Sequence, residues 1–268
     1  MALYVIKSEE AKLHITKGNS KIGKTIYSFS TLPGNKKHLI YAKGVLLTDV
    51  PGTCTNLCNG CFGACYAVNS ARLHHNAVIR AWAENTLLLR DNPKALFSKI
   101  NDYITKKNID YYNTQGAKCR KITTWRWNVS GEIQNVKELE MMDDLARKHP
   151  EVQFGLYTKN FDALDKFLKK HKDTQENFVI NVSQWHHVAD DIIEKYGGKV
   201  NVFEYDDSNL KNNDLSSEDI ARLAKIPHCS AVTKSGKHAK LPNGEPITCD
   251  HCKRCYTKTG KHTAVYAH

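Results

Sequence analysis

The sequence predicts an α/β fold: a partial six-stranded barrel, preceded by a β-rich segment and followed by a cysteine-rich tail. Three observations predict it. Between residues 121 and 225, apolar runs of strand length alternate with amphipathic runs of helix length, the pattern of parallel strands joined by helical crossovers. Before residue 50, short β-rich runs are separated by Pro and Gly turn signals. Beyond residue 229, apolar periodicity fades and Lys, Gly, Thr and Pro dominate. The 268 residues therefore divide into 1–43, 44–228 and 229–268.

Thr25–Ser30 and Leu39–Ala42 read as strands, with Pro33-Gly34-Asn35 as the turn between them, and Gly44–Val50 reads as the strand that opens the barrel. A long helix follows over Ser70–Arg90, with Leu73, Ala77, Val78, Ala81, Leu87 and Leu88 at helical spacing. A second starts at Pro93, which suits the first helical position, and buries Leu96, Phe97, Ile100 and Ile104. Strands then fall at Lys121–Asn128, Val152–Thr158, Phe178–Ser183 and Val200–Tyr205. Helices fall at Val136–Lys148, Phe161–Lys170, Val188–Tyr196 and Ser217–Lys225, and Cys229–Thr233 closes the set of six strands. Gly18–Thr25 formally fits the phosphate-loop spacing Gly-x4-Gly-Lys-Thr, but a strand pattern follows where a phosphate loop needs a helix, so it reads as a hairpin turn.

Hydrophobic residues make up 41% of the chain, enough for a packed core. No apolar run is long enough to span a bilayer, and the first residues lack a basic-then-apolar signal, so no membrane association and a cytoplasmic location are expected. In that compartment thiols stay reduced, and nine cysteines point to metal binding rather than disulfides. The net charge of +11 leans towards an anionic substrate or a nucleic acid partner, although the basic residues are scattered.

Eight of the nine cysteines form two groups. Cys54, Cys58, Cys61 and Cys65 lie on one loop between a strand and a helix. Cys249, Cys252 and Cys255 form a compact run, with Cys229 upstream as a fourth ligand. Thiolates at such spacing bind iron–sulfur clusters or zinc. The three-cysteine run in the tail favours an iron–sulfur cluster, with tetrahedral zinc as the open alternative. Cys119 stands alone and reads as a free thiol.

The triplet Cys54-x3-Cys58-x2-Cys61, after a strand and before a long helix, resembles that of the radical S-adenosylmethionine superfamily. Ser130-Gly131-Glu132, at the end of the next strand, resembles that superfamily's Gly-Gly-Glu turn. The resemblance implies a partial (β/α)6 barrel of radical-SAM type. It also implies a [4Fe-4S] cluster on the Cys54–Cys65 loop that cleaves S-adenosylmethionine, with Glu132 holding the cofactor's amino group. A substrate of unknown identity, an auxiliary cluster in the tail and an electron donor such as flavodoxin or ferredoxin complete the implied set. Cys58 or Cys65 is the spare ligand of the first cluster, or all four cysteines close it and no iron is left open. Thr158, Asn160, Asn181 and Ser183, at strand ends where α/β folds bind ligands, are candidates for contact with the cofactor.

A closer similarity is to the phage-associated gene product 88 domain family. Cys65-Tyr66-Ala67, Asn85-Thr86, Arg126 to Glu132, Tyr157-Thr158-Lys159 and the Cys249–Cys255 tail carry it. It implies a radical-S-adenosylmethionine-like protein without naming a reaction. Non-catalytic nucleic acid binding on iron or zinc, and electron transfer, are the rival functions. Trp185-His186-His187, after a strand, reads either as pocket lining or as a surface helix start.

Overall fold

The computed structural model describes residues 8–19, 22–35, 38–41, 44–47, 50–54, 65–117, 119–211, 213 and 215–267. Strands β1 (Thr16–Asn19) and β2 (Gly23–Phe29) form an antiparallel hairpin, so the Gly18–Thr25 run is a hairpin, as its sequence context suggested. Strands β3 (His38–Tyr41) and β4 (Gly44–Leu47) form a separate two-stranded antiparallel sheet. Helices α1 (Tyr66–Asp91) and α2 (Pro93–Asn113) lead to β5 (Thr124–Trp127). Then follow α3 (Val136–Lys148), β6 (Gln153–Thr158), α4 (Phe161–His171), β7 (Phe178–Gln184), α5 (Asp190–Tyr196), β8 (Asn201–Asp206), α6 (Ser217–Leu223), α7 (Cys249–Cys252) and β9 (His262–Tyr266).

The central sheet has seven strands in the order β1-β2-β5-β6-β7-β8-β9. Every pair except β1–β2 is parallel, so the parallel strands stand side by side in chain order. This open, mostly parallel sheet is the mixed α/β fold expected, but two of the expected barrel strands are different segments. The opening parallel strand is β2, not Gly44–Val50. That segment pairs locally with β3, in register from His38↔Leu47 to Tyr41↔Gly44, because two strands so close in sequence meet before either can reach the sheet. The closing strand is β9, not Cys229–Thr233. The latter lies outside β9, joined by the His228↔Ala264 bridge and by the Cys229 amide, which donates to the Ala264 carbonyl. Segment 1–43 thus gives two strands to the sheet and segment 229–268 gives one.

Alternation along the strands separates two faces. Trp125, Trp127, Phe154, Leu156, Ile180 and Val182 pack in one core with Ile79 and Leu87 of α1, Leu96 and Ile100 of α2, Leu139 and Met142 of α3, and Phe167 of α4. Crossovers of one hand between strands added in one direction put their helices on one side. The tail covers the other face. Tyr256 packs with Ile22 and Ile26, and a side chain at Gly155 would strike its ring at 2.7 Å.

Candidate metal and cofactor site

Beyond Phe29, the chain stays buried through Ser30, Thr31 and Leu32 and sets the position of the first cysteine. The Leu32 amide donates to Thr86 Oγ1 of α1 (2.9 Å), and its carbonyl accepts from the Thr53 amide (2.9 Å). The Cys54 amide donates to the Gly34 carbonyl (2.9 Å). Gly52 is needed here, since a Cβ would lie 2.2 Å from the carbonyl oxygens of Pro33 and Gly34. Cys54 is therefore fastened at the C-terminal end of the first parallel strand. Cys65 is the N-cap of α1, and both cysteines are half-buried. Cys58 and Cys61 lie outside the described residues.

The Ser130-Gly131-Glu132 turn is built against this segment. The Thr31 amide donates to the Ser130 carbonyl (3.0 Å), and the Glu132 amide donates to Thr53 Oγ1 (2.9 Å). Gly131 has φ +84°, and a Cβ there would sit 1.9 Å from Thr31 Oγ1 and 2.5 Å from Thr53 Oγ1. The turn and the residue before Cys54 are thus in direct contact.

Glu132 has a different occupation from the one its position suggested. Its carboxylate is buried and accepts from the Ile133 amide (2.9 Å), the Thr158 hydroxyl (2.7 Å) and the Lys159 amide (2.7 Å). Burial raises its pKa, and these hydrogen bonds oppose the rise. Thr158 in turn accepts from the Asn160 amide, and Asn160 caps α4 while its side chain donates to the Ile133 carbonyl. Glu132, Thr158 and Asn160 thus form one buried network joining the ends of β5 and β6.

Asn181 and Ser183 lie on β7, apart from that network. Asn181 Nδ2 donates to the Leu156 carbonyl (3.2 Å) and to the Cys255 carbonyl (2.9 Å), so it holds the cysteine tail. Ser183 is half-buried and in register with Phe203 of β8. Asp250 fastens the tail at a second point, accepting from the Thr25 amide (3.1 Å) and the Thr25 hydroxyl.

Cys229, Cys249, Cys252 and Cys255 come together beneath the sheet, within electrostatic reach of one another. Burial pushes Cys255 up to about 12, with Cys249 and Cys229 adding to the rise and a Tyr157 hydrogen bond opposing it. Burial likewise raises Cys249 and Cys229, and the Arg126 guanidinium opposes the rise at Cys249. Arg126 stacks over the Tyr157 ring at 4.3 Å. Thiols gathered near the half-buried Arg126, whose charge acts on Cys249 and Cys255, suit a thiophilic centre whose thiolates the cation would offset. Among the described residues, no three His, Cys, Asp or Glu side chains converge as ligands of one ion.

Asn128 and Glu138 escaped the sequence reading, and the Ser130 side chain, a candidate there, is as deeply buried as they are. Asn128 and Ser130 are 5% and 2% exposed, and the Asn128 amide and Ser130 hydroxyl have no hydrogen-bond partner among the described residues. Glu138, 2% exposed, lines a cavity of about 710 Å³ with Thr53 and Gln134, and its Oε1 is also without a partner. A polar residue after a strand, or one in an amphipathic helix, reads as exposed until the tertiary packing is known. Trp185-His186-His187 follows β7, and His187 bonds Asp190 (2.8 Å) and Asp219 (2.7 Å), tying the segment to α6. Cys119 donates to the Lys107 carbonyl (3.4 Å), away from both cysteine groups.

A mostly parallel α/β sheet, with Cys54 at the end of its first parallel strand and four further cysteines beneath it, defines a cysteine-rich α/β protein. Residues 7–258 match the family model described as gene product 88, and the chain belongs to that family. Neither the curated proteins nor the solved structures gave a match. Among the described residues, no helix is long and apolar enough to cross a membrane.

Proposed function

We propose that the chain is a radical S-adenosylmethionine-type iron–sulfur enzyme. One observation carries the reading: Thr53, the residue before Cys54, is held at the C-terminal end of the first parallel strand and touches the Ser130-Gly131-Glu132 turn of the next strand. Ligand sites of parallel α/β folds lie at that end. Side-by-side parallel strands in chain order, with helices on one face, also support a partial (β/α)6 barrel.

Three of Cys54, Cys58, Cys61 and Cys65, with Cys58 or Cys65 as the spare, supply the ligands of the first [4Fe-4S] cluster. Cys229, Cys249, Cys252 and Cys255 hold the auxiliary centre. When bound, a cluster with one iron free of cysteine, together with S-adenosylmethionine, supplies reductive hydrogen-abstraction chemistry. The chain's own part is positional. Thr53 and Gly131 set the spacing of the cysteine loop from the turn, and Arg126 offsets the thiolates of the tail. The net charge favours an anionic substrate, and the cluster needs an electron donor such as flavodoxin or ferredoxin, in the cytoplasm.

The engagement of the Glu132 carboxylate by three protein donors favours a second reading. In it, both cysteine groups are closed by four thiolates and the protein binds nucleic acid without catalysis. Anaerobic purification, with iron, sulfide and zinc counted, separates the two, followed by S-adenosylmethionine and a reductant. Iron, sulfide and formation of 5′-deoxyadenosine are expected. Zinc in both groups overturns the enzyme reading, and iron without cofactor cleavage supports the second.

A further inference from the structure

The Ser130-Gly131-Glu132 turn has its hydrogen-bonding capacity unevenly distributed. Glu132 satisfies its carboxylate within the protein. Asn128 and Ser130, just before it in the chain, leave theirs open. Both polar atoms of the Asn128 amide and the Ser130 hydroxyl are buried and without a partner among the described residues. Folded proteins rarely leave such groups buried and unpaired, because each loses its water and gains nothing in return. Asn128 also has φ +49°, in the left-handed region. A strained backbone under an unpaired amide is unfavourable twice over, and such combinations cluster at ligand sites.

The position fits a ligand site. Asn128 directly follows β5. The Ser130 carbonyl is tied to Thr31, and Thr31 Oγ1 meets Thr53 Oγ1 at 2.8 Å, next to Cys54. We infer that Asn128 and Ser130, rather than Glu132, are the residues of this turn that contact the bound ligand. The ligand group they recognise carries a donor and an acceptor side by side. Asn128 offers one acceptor and a donor pair, and Ser130 adds a hydroxyl. The adenine edge of a nucleoside matches that set, and so does the ammonium–carboxylate end of an amino acid. Identifying either with S-adenosylmethionine rests on the function proposed above.

The test uses the full chain and three probes: adenosine, methionine and S-adenosylmethionine. Asn128→Gly removes the amide and suits the left-handed backbone, and Ser130→Ala removes the hydroxyl. Without a probe, Asn128→Gly is expected to melt at or above the wild-type temperature. S-Adenosylmethionine is expected to bind the wild type and to bind either variant about ten-fold more weakly or worse. Binding of adenosine alone assigns the base edge to Asn128, and binding of methionine alone assigns the amino-acid end. Asn128→Gly melting several degrees lower shows a partnered amide and overturns the inference. So does undiminished binding by both variants, or no binding of any probe to the wild type. Metal counted on the same samples reports separately on the proposed function: iron with no binding defeats only this inference. Zinc with binding lost in Asn128→Gly defeats only the enzyme reading.

Discussion

The Thr158 hydroxyl donates to Glu132 Oε1 across 2.7 Å, joining the end of β6 to the turn after β5. A carboxylate buried at such a joint is stable only while its donors are in place. Thr158→Val is expected to cost about 1–3 kcal/mol, read as a lower urea midpoint. Gly131→Ala is expected to cost at least about 2 kcal/mol, since its Cβ has no room between Thr31 and Thr53. Wild-type midpoints for both variants would show that the turn is loose.

Glu138 gives the protein a pH dependence of unusual sign. Burial pushes its carboxyl up to about 8, the Gln134 amide bond opposes this, and nearby Glu132 adds to it. Between the ordinary value of 4.5 and about 8, the folded chain holds a proton that the unfolded chain has released. Stability from this group is therefore complete at pH 4 and is lost as pH rises towards 8. Glu138→Gln is expected to flatten the urea midpoint between pH 5 and 8, where the wild type loses roughly 2 kcal/mol or more. Parallel curves for the two proteins would refute this.

Glu204 acts in the opposite direction. Burial pushes its carboxyl up, but hydrogen bonds from His262 and Arg222 outweigh it and hold the group at about 2. Arg222 grips it through two nitrogens (2.7 and 2.9 Å), and His262 Nε2 lies 2.7 Å away. The stability it confers is present above pH 4.5 and is lost as pH falls through about 2. Arg222→Met leaves a buried carboxylate half-paired and is expected to cost on the order of 3 kcal/mol at neutral pH. Adding Glu204→Gln should restore part of that, as measured by a double-mutant cycle.

Arg126 is predicted to set the metal affinity of the tail. Anaerobic titration with Co²⁺, followed by its thiolate absorption, is expected to show about ten-fold weaker binding in Arg126→Met. Cys249→Ser and Cys255→Ser should lose the signal, while Thr158→Val keeps it. Equal affinity in Arg126→Met would show that the guanidinium does not offset the thiolates.

The alternating elements between residues 121 and 206 were legible in the sequence because each strand there is buried on the helix face and each helix carries an apolar stripe. Asn92 and Asn135 cap α2 and α3 where the local pattern puts the helix starts. The ends of the sheet were not legible. His262–Tyr266 is a strand because β8 offers it a parallel edge from Val202↔His262 to Asp206↔Tyr266, and that edge has no trace in the local composition. Gly44–Leu47 has the apolar character of a buried strand, and its partner is decided by chain proximity instead. At the turn, Ser130-Gly131-Glu132 was visible as a pattern, but a pattern does not say which acceptors are already occupied. That depends on Thr158 and Lys159, brought up by the neighbouring strand.

Because β9 and the Cys249–Cys255 segment both belong to the last part of the chain, the order of synthesis matters. Asn181, Gly155 and Thr25, which hold or abut the tail, are all made before the tail cysteines emerge from the ribosome. Until then the face holding Arg126 and Tyr157 is uncovered, and its sheet edge at β8 is open. The tail thus acts as a latch, and a chain stopped near residue 228 would expose that face and an unpaired strand to other proteins at once.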